Sequence, residues 1–234
     1  MNAKEILEEL RPLGRESYKS VLLKHGVQEP CWGVKIEELK KIQKRIKHDY
    51  ALSLELFDTG IYDVMYLAGL IANDARMTRA NLQHWLAKGG PILAGNIVAW
   101  VAAGSPHGRA IALEWIDMPR EHEVLAGWAT LGSLVSIKPD AELDLAEVKR
   151  LLQRVQKTIH QAPNDARYAM NNFVICVAAH VQPLNEFAKH VAEKIGRVSV
   201  DMGDTACQVP FAPDYIKKVE ARGTIGKKRK TAKC

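Results

Sequence analysis

The 234-residue chain reads as an all-α protein, a superhelix of stacked antiparallel helix pairs, and three observations carry that expectation. Apolar residues recur three or four apart over most of the length, the spacing of helices with one buried face. Strand-like alternation is absent, with VSVD at 198–201 at most a short extended piece. Four similar segments, YLAGLIAND, IVAWVAAGS, GWATLGSLV and FVICVAAHV, are apolar and rich in Ala and Gly, and a more polar helix separates each from the next.

The elements follow in order. MNAKEILEELRPLG is amphipathic and acidic. In VKIEELKKIQKRIKHD, Ile36, Leu39, Ile42 and Ile46 form one stripe and lysines fill the other face. GIYDVMYLAGLIAND is apolar almost all round and is expected to be buried. TRANLQHWLAKGG opens on Thr78 as N-cap and stops at its glycines. PILAGNIVAWVAAGS, PHGRAIALEWID and PLNEFAKHVAEKIG each begin on a proline suited to a first helical position. Between them lie the helices REHEVLAGWATLGSLVS, LDLAEVKRLLQRVQKTIHQ and NDARYAMNNFVICVAAHV.

Small residues let backbones approach closely. A buried small-residue helix alternating with a polar one suits hairpins that cannot bury their apolar faces alone. The intervals, roughly 30 to 45 residues, fall in the range of HEAT-like repeats, and the stacked solenoid is favoured over a general helical bundle. Such a solenoid offers a long concave surface. The expected division is a HEAT-like solenoid over 1–197, an extension with a short helix packed on it over 198–222, and a basic, mobile tail over 223–234.

Net charge is +6, but from Lys217 onward there are eight basic residues and one acid, leaving 25 basic against 26 acidic elsewhere. The basic character therefore belongs to the C-terminus. GTIGKKRKTAKC is read either as a solvated segment or as a handle on phosphates through Lys227, Lys228, Arg229 and Lys230. The four cysteines are far apart, so neither a disulfide framework nor a zinc ribbon is implied. No signal-peptide pattern and no apolar run approaching a membrane span is present, and the reading is a cytoplasmic, monomeric protein with no membrane partner.

No nucleotide-binding loop, metalloprotease helix or nucleophile elbow occurs. Asp201, Asp204 and Cys207 in VDMGDTACQVP are either a metal set or plain turn chemistry around Gly203, and no metal is expected. Trp85, Trp100, Trp115 and Trp128 either pack hairpin on hairpin or, at one or two places, face a nucleotide. Lys40, Lys41, Lys44, Arg45 and Lys47 crowd one early helix, as a solvated face or as phosphate contacts. Arg167 and Asn171, four apart, share a helix face with Asn172 beside it; they either point into a groove or serve capping and inter-repeat hydrogen bonds.

CWGVKIEELKKIQKRIK, ARYAMNNFVICVAAHV and, above all, VSVDMGDTACQVPFAPDYIKKVEARGTIGKKRKTAKC resemble bacterial DNA alkylation repair proteins of the AlkD-like group. The resemblance implies a HEAT-like solenoid that cradles double-stranded DNA, alkylated or distorted. It also implies a glycosylase that releases ring-nitrogen-alkylated purines without metal or organic cofactor. Alkylation makes the base a good leaving group, so the enzyme needs a carboxylate near the sugar to stabilise the developing oxocarbenium ion. Carried onto this chain, the family acid falls on Asn96 and its preceding tryptophan near Ile92. The second tryptophan falls near Phe173 and the helical arginine near Ala126 or Gly127. No Asp or Glu lies between Asp74 and Glu114, so no neighbour on that stretch restores the acid. Trp100 shares the face of Asn96 and would stand beside a deoxyribose. Three functions follow: an excising glycosylase with a relocated acid, a DNA-damage-binding module with weak or no catalysis, and a protein–protein scaffold.

Overall fold

A computed structural model describes residues 1–233, and every element of regular structure in it is helical. Internal contacts divide the chain into two compact units. The first comprises Met1–His107 with Met202–Ala206 and Lys233, and the second comprises Gly108–Asp201 with Cys207–Ala232.

In the first unit, α1 (Ala3–Leu10) starts at Asn2, whose side chain accepts from the Glu5 amide while Glu5 reaches back to Asn2, satisfying two orphan donors. α2 (Glu16–Lys24) follows, and α3 (Ile36–Ile46) buries Leu39 and Ile42 beneath its basic face. α4 (Tyr50–Asp58) is capped by Asp49 through the Leu52 amide. α5 (Tyr62–Ile71) is buried along most of its length, as its all-round apolar sequence requires.

The run α6 (Arg79–Leu93) begins at the Thr78 cap and is broken by a kink at Gly90, where the glycines were expected to stop the helix. Gly90 takes φ +63°, a conformation that favours glycine, and Pro91 restarts the helix at once. A π-helical turn over Ala94–Val98 leads into α7 (Ala99–Gly104). The run Arg79–Gly104 is long and apolar enough to cross a membrane by length and composition, but half of its most apolar window is buried within the protein.

The second unit is built around α9 (Glu121–Ile137) and α11 (Asn164–His180), which pack on each other. α8 (Gly108–Trp115), α10 (Leu145–Thr158), α12 (Asn185–Ile195) and α13 (Ala212–Ala221) pack around them. Trp128, Phe173, Leu152, Val155 and Val191 lie in one core beneath these helices.

Candidate nucleic-acid interface

Asn96 lies in the π-turn, half-buried, and its side-chain oxygen accepts a hydrogen bond from the next residue's amide, Ile97 N–H. An amide so engaged carries no charge to offer an oxocarbenium ion. Ile92, at the position the resemblance gives to a tryptophan, lines a cleft of about 120 Å³ in the first unit, together with Glu29, Tyr62, Met65 and Lys88. Asn96 is not among its lining residues. Trp100 is half-buried and meets the Tyr66 ring edge-on at 6.2 Å. Of the expected aromatic contacts it alone retains exposed surface.

The other tryptophans are packing residues. Trp85 is buried and stacks on Phe57 at 4.1 Å; Trp115 and Trp128 are buried as well. Phe173 corrects the expectation most plainly: it is 0% exposed and packs on Trp128 at 5.4 Å, so it cannot touch DNA. The arginine position fails for a steric reason. Ala126 is fully buried, and a Cβ on Gly127 would lie 2.7 Å from the Ile116 backbone nitrogen. This is where α8 and α9 press together, and no arginine fits.

The polar face of α11 is also spent internally. Arg167 donates from Nε to the Ala162 carbonyl at 2.8 Å and from a terminal nitrogen to Ser199 at 2.9 Å. Asn171, 1% exposed, donates to the Pro210 carbonyl at 2.9 Å. Asn164 clasps the Asp201 backbone, donating to its carbonyl and accepting from its amide. These residues hold the backbone at Ser199, Asp201 and Pro210 rather than reaching for phosphate, which is the capping and packing alternative. Asn172 is half-buried beside them.

The tail corrects a second expectation. Residues 226–229 are docked on the second unit: Gly226 N–H donates to Ala179, Arg229 N–H to Ser136, and the His180 ring contacts the Lys227 carbonyl at 2.7 Å. Lys228 points inward, its ammonium 2.8 Å from both Asp140 and the Val135 carbonyl, so it is an internal ion-pair partner and not a DNA contact. Lys227, Arg229 and Lys230 are exposed. Within the first unit, Lys233 pairs with Asp74 at 2.7 Å. Burial pushes the Asp74 pKa up and the Lys233 pKa down, each against the pull of its partner.

On α3, Lys41 is engaged by Glu38 at 2.8 Å and Arg45 by Glu9 at 2.6 Å, while Lys44 is exposed and Lys40 half-buried.

Sequence reasoning missed a buried carboxylate. Asp63, 1% exposed, accepts from the Trp32 amide at 2.6 Å and the Val34 amide at 2.7 Å, pinning the loop before α3. An acid inside an otherwise apolar helix was its legible signal, because such a charge must be hydrogen-bonded. Glu123, 2% exposed, is likewise taken by Arg120. Burial, and then Asp63, push the Cys31 thiol up to about 11, so it is no thiolate nucleophile at neutral pH. Burial raises the Cys176 thiol too. Among the described residues no three His, Cys, Asp or Glu side chains gather to hold a metal ion. At the 201–207 turn, Thr205 bonds back to the Met202 and Gly203 carbonyls.

The all-helical architecture and its match to a solved HEAT-like relative define the class: an all-helical HEAT-like repeat protein. The model of the DNA alkylation repair enzyme family matches residues 6–199, and the chain belongs to that family. An uncharacterised protein of Listeria innocua is 29% identical over 220 residues, covering 92% of this chain and 95% of its own. One from Listeria monocytogenes is 29% identical over 230 residues. A solved structure matches with a TM-score of 0.92 and 33% identity, each chain covered in full. It represents a new family of proteins related to the HEAT-like repeat DNA glycosylases, with affinity for branched DNA structures.

Proposed function

We propose that this protein binds distorted or branched double-stranded DNA and does not excise bases from it. The single observation that carries the reading is the neutral Asn96 at the position the resemblance gives to the family's acid, its side-chain oxygen engaged by the backbone. The other parts of the family constellation are missing in the same direction. Ile92 replaces one aromatic, the second is sealed in the core as Phe173, and the arginine position is closed by the α8–α9 contact. The buried acids Asp63 and Glu123 are consumed by backbone amides and Arg120, so neither stands in.

DNA is favoured over a protein partner because the solved relative, similar over its whole length, has affinity for branched DNA. Lys40 and Lys44 on α3, with Trp100, are the contacts we assign to the first unit. The protein is read as a cytoplasmic monomer without cofactor. Fluorescence anisotropy on a four-way junction and on a linear duplex of equal length tests the reading. Tighter junction binding is expected, with log K falling with log salt by roughly 0.9 per phosphate contacted. A flat salt response on both substrates removes the DNA reading altogether.

A further inference from the structure

We propose that Lys227, Arg229 and Lys230 form a pre-ordered phosphate-binding strip, held in register by the inward-turned Lys228. The proposal rests on the DNA-binding reading above. It identifies a contact surface in the second unit that the catalytic constellation does not include.

The geometry separates the tail's four consecutive cations into two jobs. Lys228 reaches Asp140 and the Val135 carbonyl, both at 2.8 Å, with its side chain 19% exposed. Lys228 is the one of the four that turns in, while the Arg229 guanidinium keeps a contact of 3.5 Å to the Ala232 carbonyl. Lys227, Arg229 and Lys230 are all exposed. The backbone that carries them is fixed on both sides of Lys228. Gly226 N–H donates to Ala179 at 2.9 Å, and Arg229 N–H donates to Ser136 at 2.8 Å. The neutral His180 ring donates to the Lys227 carbonyl at 2.7 Å, and burial holds that ring below its ordinary pKa.

A disordered basic tail loses conformational freedom when it meets a phosphate backbone, and that loss subtracts from its electrostatic gain. Here the ordering is made during folding. The strip meets its ligand with its backbone already ordered, and the rest of the chain outside the last eighteen residues is nearly neutral in net charge. Phosphate is the chemistry this display fits: anionic, repeating along a strand, and read by lysine and arginine without base specificity.

The test uses the full chain. Lys227→Gln/Arg229→Gln/Lys230→Gln should reduce the slope of log K against log salt by up to about 2.7 on junction DNA. Wild-type binding with an unchanged slope in this variant overturns the strip and leaves the DNA reading standing; absence of binding by the wild type sinks the DNA reading itself.

Asp140→Asn tests the anchor with a change of opposite sign. It raises the net charge from +6 by one unit, so charge counting alone gives tighter binding. Unpinning Lys228 should instead weaken binding by about three- to tenfold. Hydrogen exchange at the Gly226 and Arg229 amides follows the anchor directly. Protection in the wild type, lost in Asp140→Asn together with affinity, supports the proposal. Unprotected wild-type amides, protection retained in the variant, or released amides with equal or tighter binding each overturn it.

Discussion

Replacing Phe173 by alanine separates a core residue from a DNA contact. The ring is fully buried, sits 5.4 Å from the Trp128 ring at a 57° tilt, and lies in the core shared by α9, α10, α11 and α12. Truncating a buried phenylalanine leaves a cavity the neighbours close only in part, at a cost of about 3–5 kcal/mol. For a chain of this size each kcal/mol shifts the midpoint by about 2–4 °C, so Tm should fall by about 6–20 °C. Urea unfolding with an unchanged m-value reads the loss as stability. Junction binding, measured at a temperature where the variant is folded, should stay within about threefold of wild type, the effect expected of a residue outside the interface. A Phe173→Ala protein that unfolds at the wild-type midpoint yet binds DNA poorly would refute the placement of this ring in the core.

Three other outcomes follow from the same geometry. Asp63→Asn should cost about 2–4 kcal/mol in urea unfolding, because the amide oxygen can accept from only one of the Trp32 and Val34 N–H groups and the amide nitrogen faces the other as a second donor. Gly127→Arg should cost at least about 1–3 kcal/mol by overpacking against Ile116, and should confer no excision. The His180 pKa is lowered by burial first, with Lys228 and Arg229 adding to it against the Lys227 carbonyl bond. The unfolded ring therefore takes its proton at a higher pH than the folded one. Stability should fall as pH drops below about 6.5 and level off below the folded-state pKa. Denaturation curves between pH 5 and 8 should show a smaller decline for His180→Gln than for wild type.

The helices were legible because their signal is local. The Thr78 cap, the prolines and the three-and-four spacing of Ile36, Leu39 and Ile42 act within one or two turns. The glycine pair at 89–90 and Pro91 marked the break correctly, since Gly90 kinks the chain and Pro91 restarts the helix at once. The absence of Asp and Glu between Asp74 and Glu114 is a fact of composition, and it underlies the reading of Asn96. The interface was harder. Arg167 and Asn171 carry DNA-contacting chemistry, but their partners are backbone carbonyls at Ser199 and Pro210, more than thirty residues away. Nothing in KKRK says that its second lysine has a carboxylate waiting at Asp140. Pairings at that separation depend on the assembled fold, and a charge run reads the same whether it is solvated or docked.

Release of 7-methylguanine from methylated junction DNA, measured with protein in saturating excess, tests the central claim most directly. With Asn96 at the position the resemblance gives to the acid, release at the rate of spontaneous depurination is expected while anisotropy shows the DNA fully bound. Release that rises with protein concentration above that background would contradict it, and would require a working carboxylate from elsewhere in the chain.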